Sequence, residues 1–506
     1  MSLQRVWRWH DEPALIAAAA TPWGRVALWL AAVLLLPETH RIPVALVLAP
    51  ALVWPERRVE LLAVGALGTL LGMIPLATGP VGIGFRIMGA LVVLAICYGF
   101  FQAAHRFQQL PRIVRRYPIA ATHVVLLGMV GLMVVLRHHF RFADESALGA
   151  LTATLDILLP FFVWRVSYMM LAGRRGTAAR SRFRDHLFYL APLWGGTKTP
   201  FGKGHGYLME RRVDAGTDLA AVRLAGIKLL GLAWILTLLD TALMAGVHGD
   251  EISGFRFLWV HALEWPRLHD AILAGPANYP LLERWAIVIV YLVRAVIGLA
   301  MTGHVIIGAL RLFGFRVFRN TYKPLLAATV VDFWNRYYFY FKELLVEFYF
   351  YPTYVATSRY GTRARMFLSV MAAACVGNLY YHVVVRDYHK YFFVEPDVMW
   401  ERLASRTTYC VVLGLAIYVS MRREQARRGK AATGGGALAT LRRIRAIAGV
   451  WIVFGVLQIW ITGFTINTFS QRARFTLGLV GITLGAEAHS PAPPLEGAPE
   501  PHDERS

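Results

Sequence analysis

Apolar residues occur along this chain in long continuous runs and do not alternate with polar ones. Such runs predict helices that are apolar on all sides, and many are long enough to cross roughly 30 Å of hydrocarbon. The strands of a membrane barrel would instead alternate apolar and polar positions. The pattern therefore predicts an all-α polytopic membrane protein of about eleven transmembrane helices. The expected spans are Trp23–Leu36, Pro43–Trp54, Val59–Thr78, Gly84–Ala104, Ile119–Leu136, Ala147–Ala172, Ala221–Val247, Trp285–Leu312, Ala364–Val385, Thr407–Met421 and Ile444–Ile466.

Two further segments do not fit as simple spans. His186–Tyr207 begins apolar, breaks at Pro192 and ends in a cluster of Gly, Lys and His residues. We expect it to be re-entrant, because non-helical backbone at membrane depth requires protein or water as hydrogen-bond partner. Asp332–Tyr354 combines many aromatic rings with Glu343 and Glu347, which share a helix face. That mixture favours an interfacial or cavity-lining helix.

The chain is strongly basic. Its 506 residues carry a net charge of +22, although only 17% are charged and 57% are apolar, with a mean hydropathy of +0.47. Lys and Arg cluster in short loops between the expected spans, whereas the segment His248–Glu283 is mainly acidic. This alternation predicts a protein of the cell membrane with a cytoplasmic N-terminus. It accounts for the charge without nucleic acid, since no basic domain stands apart from the spans.

One ionisable ring lies deep in the apolar run Ala364–Val385. His382 follows Asn378 by four residues, so both side chains occupy one face of a helix. Polar groups at such depth are costly and mark pathways or reaction centres. A neutral imidazole can accept a proton from a hydroxyl while its other nitrogen is held by a hydrogen bond. The alternative is a structural histidine bonded to a neighbouring helix.

No other chemical motif is complete in this sequence. Cys97, Cys375 and Cys410 lie in apolar runs and indicate small buried hydrophobic residues. The histidines in loops lack the spacing of zinc ligands. In the glycine-rich stretch, five residues separate Gly196 from Gly202, where a phosphate-binding loop requires four. We therefore predict neither a metal nor a bound cofactor.

An ordered series of short motifs within His304–Pro352 is similar to the membrane-bound O-acyltransferase (MBOAT) family. Ala309–Phe315 resembles the family's ARMFGF-like turn, Asn320–Pro324 its Asn/Lys-Pro step, and Asp332–Arg336 its Asp-Phe-Trp-x-Arg motif. Further along, the family places its catalytic histidine in a Gly-Leu-Trp-His-like helix, and this chain has Gly377–His382. The likeness is to the bacterial branch that includes alginate O-acetyltransferase and the D-alanyl transferase of teichoic acids.

The resemblance implies an MBOAT-like catalytic core (186–390) and a function. The apolar runs predict N-terminal transmembrane helices (1–185) before this core and C-terminal transmembrane helices (391–485) after it. The tail (486–506) is rich in Pro, Glu and Ala and is expected to be disordered. The implied activity moves an acyl group, most simply acetyl, from a cytoplasmic acyl-CoA or acyl-carrier thioester to a hydroxyl of an envelope carbohydrate. Membrane lipids and an extracytoplasmic protein that completes the transfer are the other expected partners.

The same resemblance assigns residues to this reaction. His382 is the expected general base, and Asn378 or Tyr338 would donate a hydrogen bond to the developing oxyanion. The residues expected to contact substrates are Asp332, Trp334, Asn335, Arg336, Lys342, Glu343 and Tyr381.

The chain also departs from the bacterial branch. Tyr338 stands where the branch has a second histidine, Tyr381 replaces a tryptophan before the catalytic histidine, and Val383 replaces a small residue after it. Two alternatives therefore remain open. One is a non-catalytic MBOAT-like protein. The other is a transporter or flippase, because a substrate pathway also needs intramembrane polar groups and broken helices.

Overall fold

The computed structural model of this chain describes residues 8–73, 80–140, 162–178, 181–190, 203–392, 394–427, 437–463 and 466–483. These residues are predominantly helical, and the one strand-like pairing among them is an isolated antiparallel bridge between Arg212 and Phe315. The all-α fold expected from the apolar runs is confirmed for this part of the chain.

Ten α-helices are described before residue 211. They are α1 Pro13–Ala20, α2 Pro22–Leu35, α3 Glu38–Val53, α4 Arg58–Met73, α5 Pro80–His105, α6 Arg112–Arg116, α7 Pro118–Phe140, α8 at 162–174, α9 Phe183–Leu190 and α10 Gly204–Glu210. Three short 3₁₀ turns join them, at Trp9–Asp11, Pro55–Arg57 and Phe107–Gln109.

The second part of the chain contains the longest helices. They are α11 Gly216–Leu243, α12 Arg256–Val260, α13 Leu268–Ala274, α14 Leu281–Leu312, α15 Val330–Tyr337, α16 Phe339–Leu345, α17 Tyr351–Ala356, α18 Thr362–Met371, α19 Asn378–Tyr380, α20 His389–Phe392, α21 Pro396–Arg427, α22 Ala437–Ile459 and α23 Phe469–Gly478. Four π-helical segments interrupt or extend them, at Met244–His248, Val346–Phe350, Ala372–Gly377 and Tyr381–Arg386. Two 3₁₀ turns lie at Pro276–Asn278 and Pro324–Leu326.

Among the described residues, five helical stretches are long and apolar enough to cross a membrane, and a sixth is added if α1 and α2, bent by 97°, form one broken span. The five are Ile87–His105, Gly216–His248, Leu281–Leu312, Thr362–Arg386 and Pro396–Arg427. The helices α3 and α4 have 16 residues each and therefore extend only about 24 Å. The molecule is thus an α-helical membrane protein, and the count of about eleven spans stays a prediction.

Several expected boundaries differ from the helices. The span expected at Thr407–Met421 is the middle of the 32-residue helix α21. The span expected at Ile444–Ile466 ends earlier, because α22 stops at Ile459 and the chain turns into α23, whose capping box joins Thr468 and Gln471. Parts of other predictions lie outside the described residues, namely 74–78, 147–161, 191–202 and 486–506.

The segment expected to be one helix from Asp332 to Tyr354 is broken. Helix α15 ends at Tyr337, and Tyr338 adopts φ −141° and ψ 75° before α16 begins. The chain then passes through a π-helical segment at Val346–Phe350 into α17. The break turns the polar and aromatic side chains of α15 and α16 toward different neighbours, which a single straight helix would not do.

Helices α11 and α14 pack on each other as an antiparallel pair. Gly226 and Gly308 allow the two backbones to meet: a Cβ on Gly226 would lie 2.8 Å from the Gly308 carbonyl oxygen. Small residues are what permits such close approach of membrane helices. Toward the other end of the pair, Arg294 Nε donates to Asp240 Oδ1 over 3.0 Å, and both side chains are largely buried.

Buried arginines close many of the helix ends. Arg472 is fully buried and donates to the carbonyl of Ile459, the last residue of α22, and to the carbonyls of Thr462, Gly463 and Asn467 in the connection to α23. Terminal carbonyls of a helix have no partner within it, so a guanidinium with five donors can satisfy several at once. The other arginines that donate to backbone carbonyls in this way include Arg58, Arg165, Arg223, Arg284, Arg311, Arg365 and Arg402. Part of the positive charge is therefore structural and does not lie in exposed loops.

Candidate active site in the broken helix 362–386

The helix that carries His382 is interrupted twice. Helix α18 runs into the π-helical segment Ala372–Gly377, a single α-helical turn follows at α19, and a second π-helical segment covers Tyr381–Arg386. Gly377 allows this irregular backbone to pack closely against the π-helical segment Val346–Phe350. A Cβ on residue 377 would lie 2.6 Å from the ring of Tyr349 in that segment. Short π-helical stretches of this kind occur frequently at functional sites.

The second π-helical segment brings a carboxylate to His382. The backbone N–H of Asp387 donates to the carbonyl of His382 over 3.0 Å, which is the five-residue step of a π turn. The side chain then lies beside the ring, with Nδ1 of His382 3.6 Å from Oδ2 of Asp387. This separation is slightly longer than a hydrogen bond. Nδ1 has no other hydrogen-bond partner among the described residues, so Asp387 is the group placed to hold it.

Asp387 is ionised and held by cations. Its carboxylate lies 3.6 Å from Nε of Arg386 and 3.9 Å from Nζ of Lys390, and 13% of the side chain is exposed. Burial alone would raise the pKa of this carboxyl, but the contact with His382 and the charge of Arg386 outweigh burial and lower the pKa to about 2. The group beside His382 is therefore a carboxylate at any physiological pH.

Aromatic rings form one wall of the site. The ring of Phe341 packs against Tyr338 (5.3 Å between centroids), Tyr381 (4.7 Å) and His382 (6.0 Å). Trp334 is buried on the far side of Phe341. The His382 side chain keeps 15% of its area exposed. The apolar wall thus encloses most of the ring and leaves a small part of the side chain exposed.

Asn378 provides an unpaired amide one turn before His382. The side chain is 1% exposed, and neither Nδ2 nor Oδ1 has a hydrogen-bond partner among the described residues. A buried amide without partners costs on the order of 1–3 kcal/mol. Such a group needs an explanation, and a ligand atom that accepts a hydrogen bond from Nδ2 would supply one.

A histidine in another apolar helix shows the opposite arrangement. His123 in α7 contacts the hydroxyl of Tyr380 through Nδ1 (2.7 Å) and that of Ser167 through Nε2 (3.1 Å). Ser167 donates its own hydrogen to the carbonyl of Val163 (2.7 Å), so it must accept from Nε2–H. Nδ1 then carries no hydrogen and accepts a hydrogen bond from the hydroxyl of Tyr380. Every polar atom of His123 is satisfied, which defines a structural histidine; nothing in the sequence argument had pointed to it.

The structure divides the other predicted substrate-contacting residues into separate groups. Trp334, Tyr338 and Tyr381 pack in the aromatic wall with His382. Asp332 and Arg336 form an ion pair of 2.7 Å with each other, and Asn335 between them is exposed.

Lys342 and Glu343 belong to a different cluster. Glu343 pairs with Lys342 and, over 2.5 Å, with Lys203 at the end of the segment that we expected to be re-entrant. Glu347, one turn later, pairs with Arg175 after α8 (2.8 Å). These ion pairs join three segments of the chain, and no contact in the described residues connects them to His382.

Two residues near His382 escaped the sequence analysis. Asp387 lies five positions after the histidine, which in a regular α-helix is about 140° away around the axis. Arg406 lies in α21, is 8% exposed, and donates from Nε to the hydroxyl of Tyr391 over 3.4 Å. Its charge acts on His382. Only the tertiary arrangement reveals it, because nothing in its local sequence differs from other arginines in the chain.

The fold and the site together define an α-helical membrane protein with a histidine near the end of one of its candidate spans and an aspartate just beyond that span. Among the residues that the structure describes, no three His, Cys, Asp or Glu side chains are grouped closely enough to hold a metal ion. Neither the known protein-family models nor the curated protein sequences match this chain.

Proposed function

We propose that this protein is a membrane-embedded O-acyltransferase with His382 as its general base. The observation that carries the proposal is the position of the Asp387 carboxylate 3.6 Å from Nδ1 of His382 at the end of an apolar helix, with the unpaired Asn378 amide one turn earlier. A base, a group that orients it and a hydrogen-bond donor for an oxyanion are the parts that acyl transfer needs. The motif series in His304–Pro352 supports membership of the MBOAT family independently.

The proposed reaction gives a role to each of His382, Asp387 and Asn378. Asp387 holds Nδ1–H of His382, which leaves Nε2 free to take the proton of the acceptor hydroxyl. The acceptor oxygen attacks the thioester carbonyl, a C–O bond forms, and Nδ2 of Asn378 donates to the developing oxyanion. As the tetrahedral intermediate collapses, the C–S bond breaks and Nε2–H returns the proton to the leaving thiolate. Protons and electron pairs balance without metal or redox partner.

The proposal includes a direction across the membrane. We place the protein in the cell membrane with about eleven spans and a cytoplasmic N-terminus, as the basic loops favour. The thioester donor would then arrive from the cytoplasm, and the carbohydrate hydroxyl from the side of the acidic segment His248–Glu283. An acetyl group and an envelope glycan are the expected acyl group and acceptor.

A labelling assay tests the proposal. Purified protein in detergent is incubated with acetyl-CoA labelled in the acetyl group and with envelope glycans, and label in an alkali-labile ester is counted. His382→Ala and His382→Gln should fold and purify like the parent and lose about 10²–10⁴ in rate. His261→Ala, which removes an exposed histidine from a loop, is the matched control and should keep full activity.

Two results would reject the proposal. Wild-type rates in both His382 variants would remove this residue from the reaction. The second result is transport without acyl transfer: unlabelled glycan crosses the membrane of liposomes that contain the protein, and no glycan receives an acyl group from acetyl-CoA or from another thioester donor. That result would identify a transporter instead.

A further inference from the structure

A second polar cluster lies beside α16, near the end of α14 and in the loop that follows it. Arg319 in that loop is only partly exposed, and burial lowers its pKa. Its guanidinium lies over the ring of Tyr322 at 5.5 Å, and no carboxylate pairs with it among the described residues. A partly buried cation without an anion is costly, so the position favours a negatively charged ligand.

Asn320 adds a buried donor beside this charge. The side chain is 2% exposed, and its Oδ1 accepts from the backbone N–H of Tyr340 over 3.3 Å. That bond fixes the amide orientation, because a backbone N–H can only donate. The other polar atom of the amide is therefore the donor Nδ2, and it has no hydrogen-bond partner in the described residues. It faces α14, since a Cβ on Gly303 would lie 3.4 Å from it.

His304 follows Gly303 on α14 and supplies the second unpaired atom. The side chain is 7% exposed, and Nδ1 has no hydrogen-bond partner in the part of the chain that the structure describes. The charges of Arg319 and Arg311 both act on this ring. Two buried polar atoms thus remain unsatisfied at one level of α14, next to a cation that no carboxylate neutralises.

The surrounding charge is positive. Nζ of Lys228 on α11 lies 3.3 Å from Nδ1 of His10. Burial, and next the charge of Lys228, lower the pKa of His10; Arg319 and Arg311 act in the same direction, and Asp11 opposes them. The basic groups near His10 therefore outweigh its neighbouring acid. That acid is Asp11, which is mostly exposed and pairs with His10 at 3.5 Å.

We propose that this cluster is a binding site for a phosphate group. Asn320 Nδ2 and His304 would donate to its oxygens, and Arg319, with the field of Arg311 and Lys228, would neutralise its charge. A buried water could satisfy the two unpaired atoms, but it would leave the positive field uncompensated. The site is separate from His382 and does not depend on acyl transfer. A phospholipid headgroup and a soluble phosphate ester offer the same chemistry, and the experiment distinguishes them.

Thermal unfolding of the purified full-length protein in a nonionic detergent, followed by intrinsic fluorescence, tests this site. In one arm, inorganic pyrophosphate is titrated at constant ionic strength against NaCl. In the other, phosphatidylglycerol is added to the micelles and compared with phosphatidylcholine. We expect the midpoint temperature of unfolding to rise in at least one of these two arms. A rise with pyrophosphate indicates a soluble ligand, and a rise with phosphatidylglycerol alone indicates a headgroup.

Two variants locate the effect. Arg319→Gln should weaken the binding of the effective probe by about 10- to 100-fold, the scale of a charge-assisted hydrogen bond. Asn320→Asp keeps the oxygen that accepts from Tyr340 and places an anion where Nδ2 was. This substitution should raise the midpoint temperature of unfolding in phosphate-free buffer and abolish the rise caused by the phosphate probe. Arg256→Gln, which changes an exposed arginine in α12, is the control and should respond like the parent.

The proposal is overturned if neither probe stabilises the parent protein beyond NaCl at equal ionic strength. It is equally overturned if Arg319→Gln and Asn320→Asp both respond to the probe as the parent does, because the anion would then bind elsewhere.

Discussion

Replacing Asp387 by Asn tests the proposed catalytic pair most directly. The substitution keeps the size of the side chain and the backbone N–H that donates to His382, but it removes the charge. Two unit charges 3.6 Å apart interact by about 4–5 kcal/mol at an effective dielectric constant of about 20. Imidazolium forms at His382 as the acceptor proton is taken, so this attraction stabilises the transition state more than the ground state.

Only part of that attraction is lost on substitution. Arg386 and Lys390 already share the carboxylate, and the asparagine oxygen can still accept from Nδ1–H. A net loss of about 3 kcal/mol is reasonable, which corresponds to a fall of about 10²-fold in kcat. KM should stay nearly constant, since the proposed role of Asp387 is to act through His382. The labelling assay with acetyl-CoA measures both parameters.

Lys390→Gln is the matched control for this substitution. Lys390 contacts the same carboxylate at 3.9 Å, but half of its side chain is exposed, and such pairs contribute about 0–1 kcal/mol. Its removal should change kcat by less than about fivefold. If Asp387→Asn is as active as Lys390→Gln while both fold normally, Asp387 does not position His382 and the proposed pair is wrong.

Three further predictions concern stability. Acidification should remove about 2 kcal/mol of the free energy of unfolding between pH 4 and pH 2, because the pKa of Asp387 falls from 3.8 to about 2 on folding; Asp387→Asn should abolish this part of the acid response in detergent. Arg472→Ala should lower the free energy of unfolding by about 3–5 kcal/mol, since it strips four carbonyls of their donor, and a loss below about 1 kcal/mol would show that the cap is dispensable. Gly377→Ala should cost about 1–3 kcal/mol through its contact with Tyr349 and slow acyl transfer as well; unchanged thermal unfolding would disprove the close packing.

The sequence predicted the class of the fold well, because the length of an apolar run is a strong signal for a membrane-spanning helix. Continuous apolar runs correctly placed helices at Leu281–Leu312 and Thr362–Arg386. Their limits were less predictable. Helix α21 begins eleven residues before the expected Thr407, because its first turns carry charged residues that hydropathy assigns to a loop. The break at Tyr338 was invisible, since neither glycine nor proline marks it.

The candidate site was predictable in part. The four-residue spacing of Asn378 and His382 follows the geometry of any helix, and both were singled out. Asp387 was not, because a regular α-helix would turn it about 140° from His382. Only the π-helical segment brings the carboxylate beside the ring, and π turns have no sequence signature comparable to a cap. The contacts of His123 were hidden for another reason: Ser167 and Tyr380 are distant in the chain and come together only by helix packing.

His123 and His382 show why position in an apolar helix alone is a poor guide to chemistry. His123 lies in α7, and His382 lies in the broken helix 362–386. In His123 a hydroxyl occupies each nitrogen, so the ring has no lone pair left to accept a further proton. In His382 the carboxylate of Asp387 lies beside Nδ1, and an imidazole whose Nδ1–H is held in this way keeps its lone pair on Nε2. A proton acceptor requires this asymmetry. The difference between the two rings, more than the presence of either, is what supports a reaction at His382.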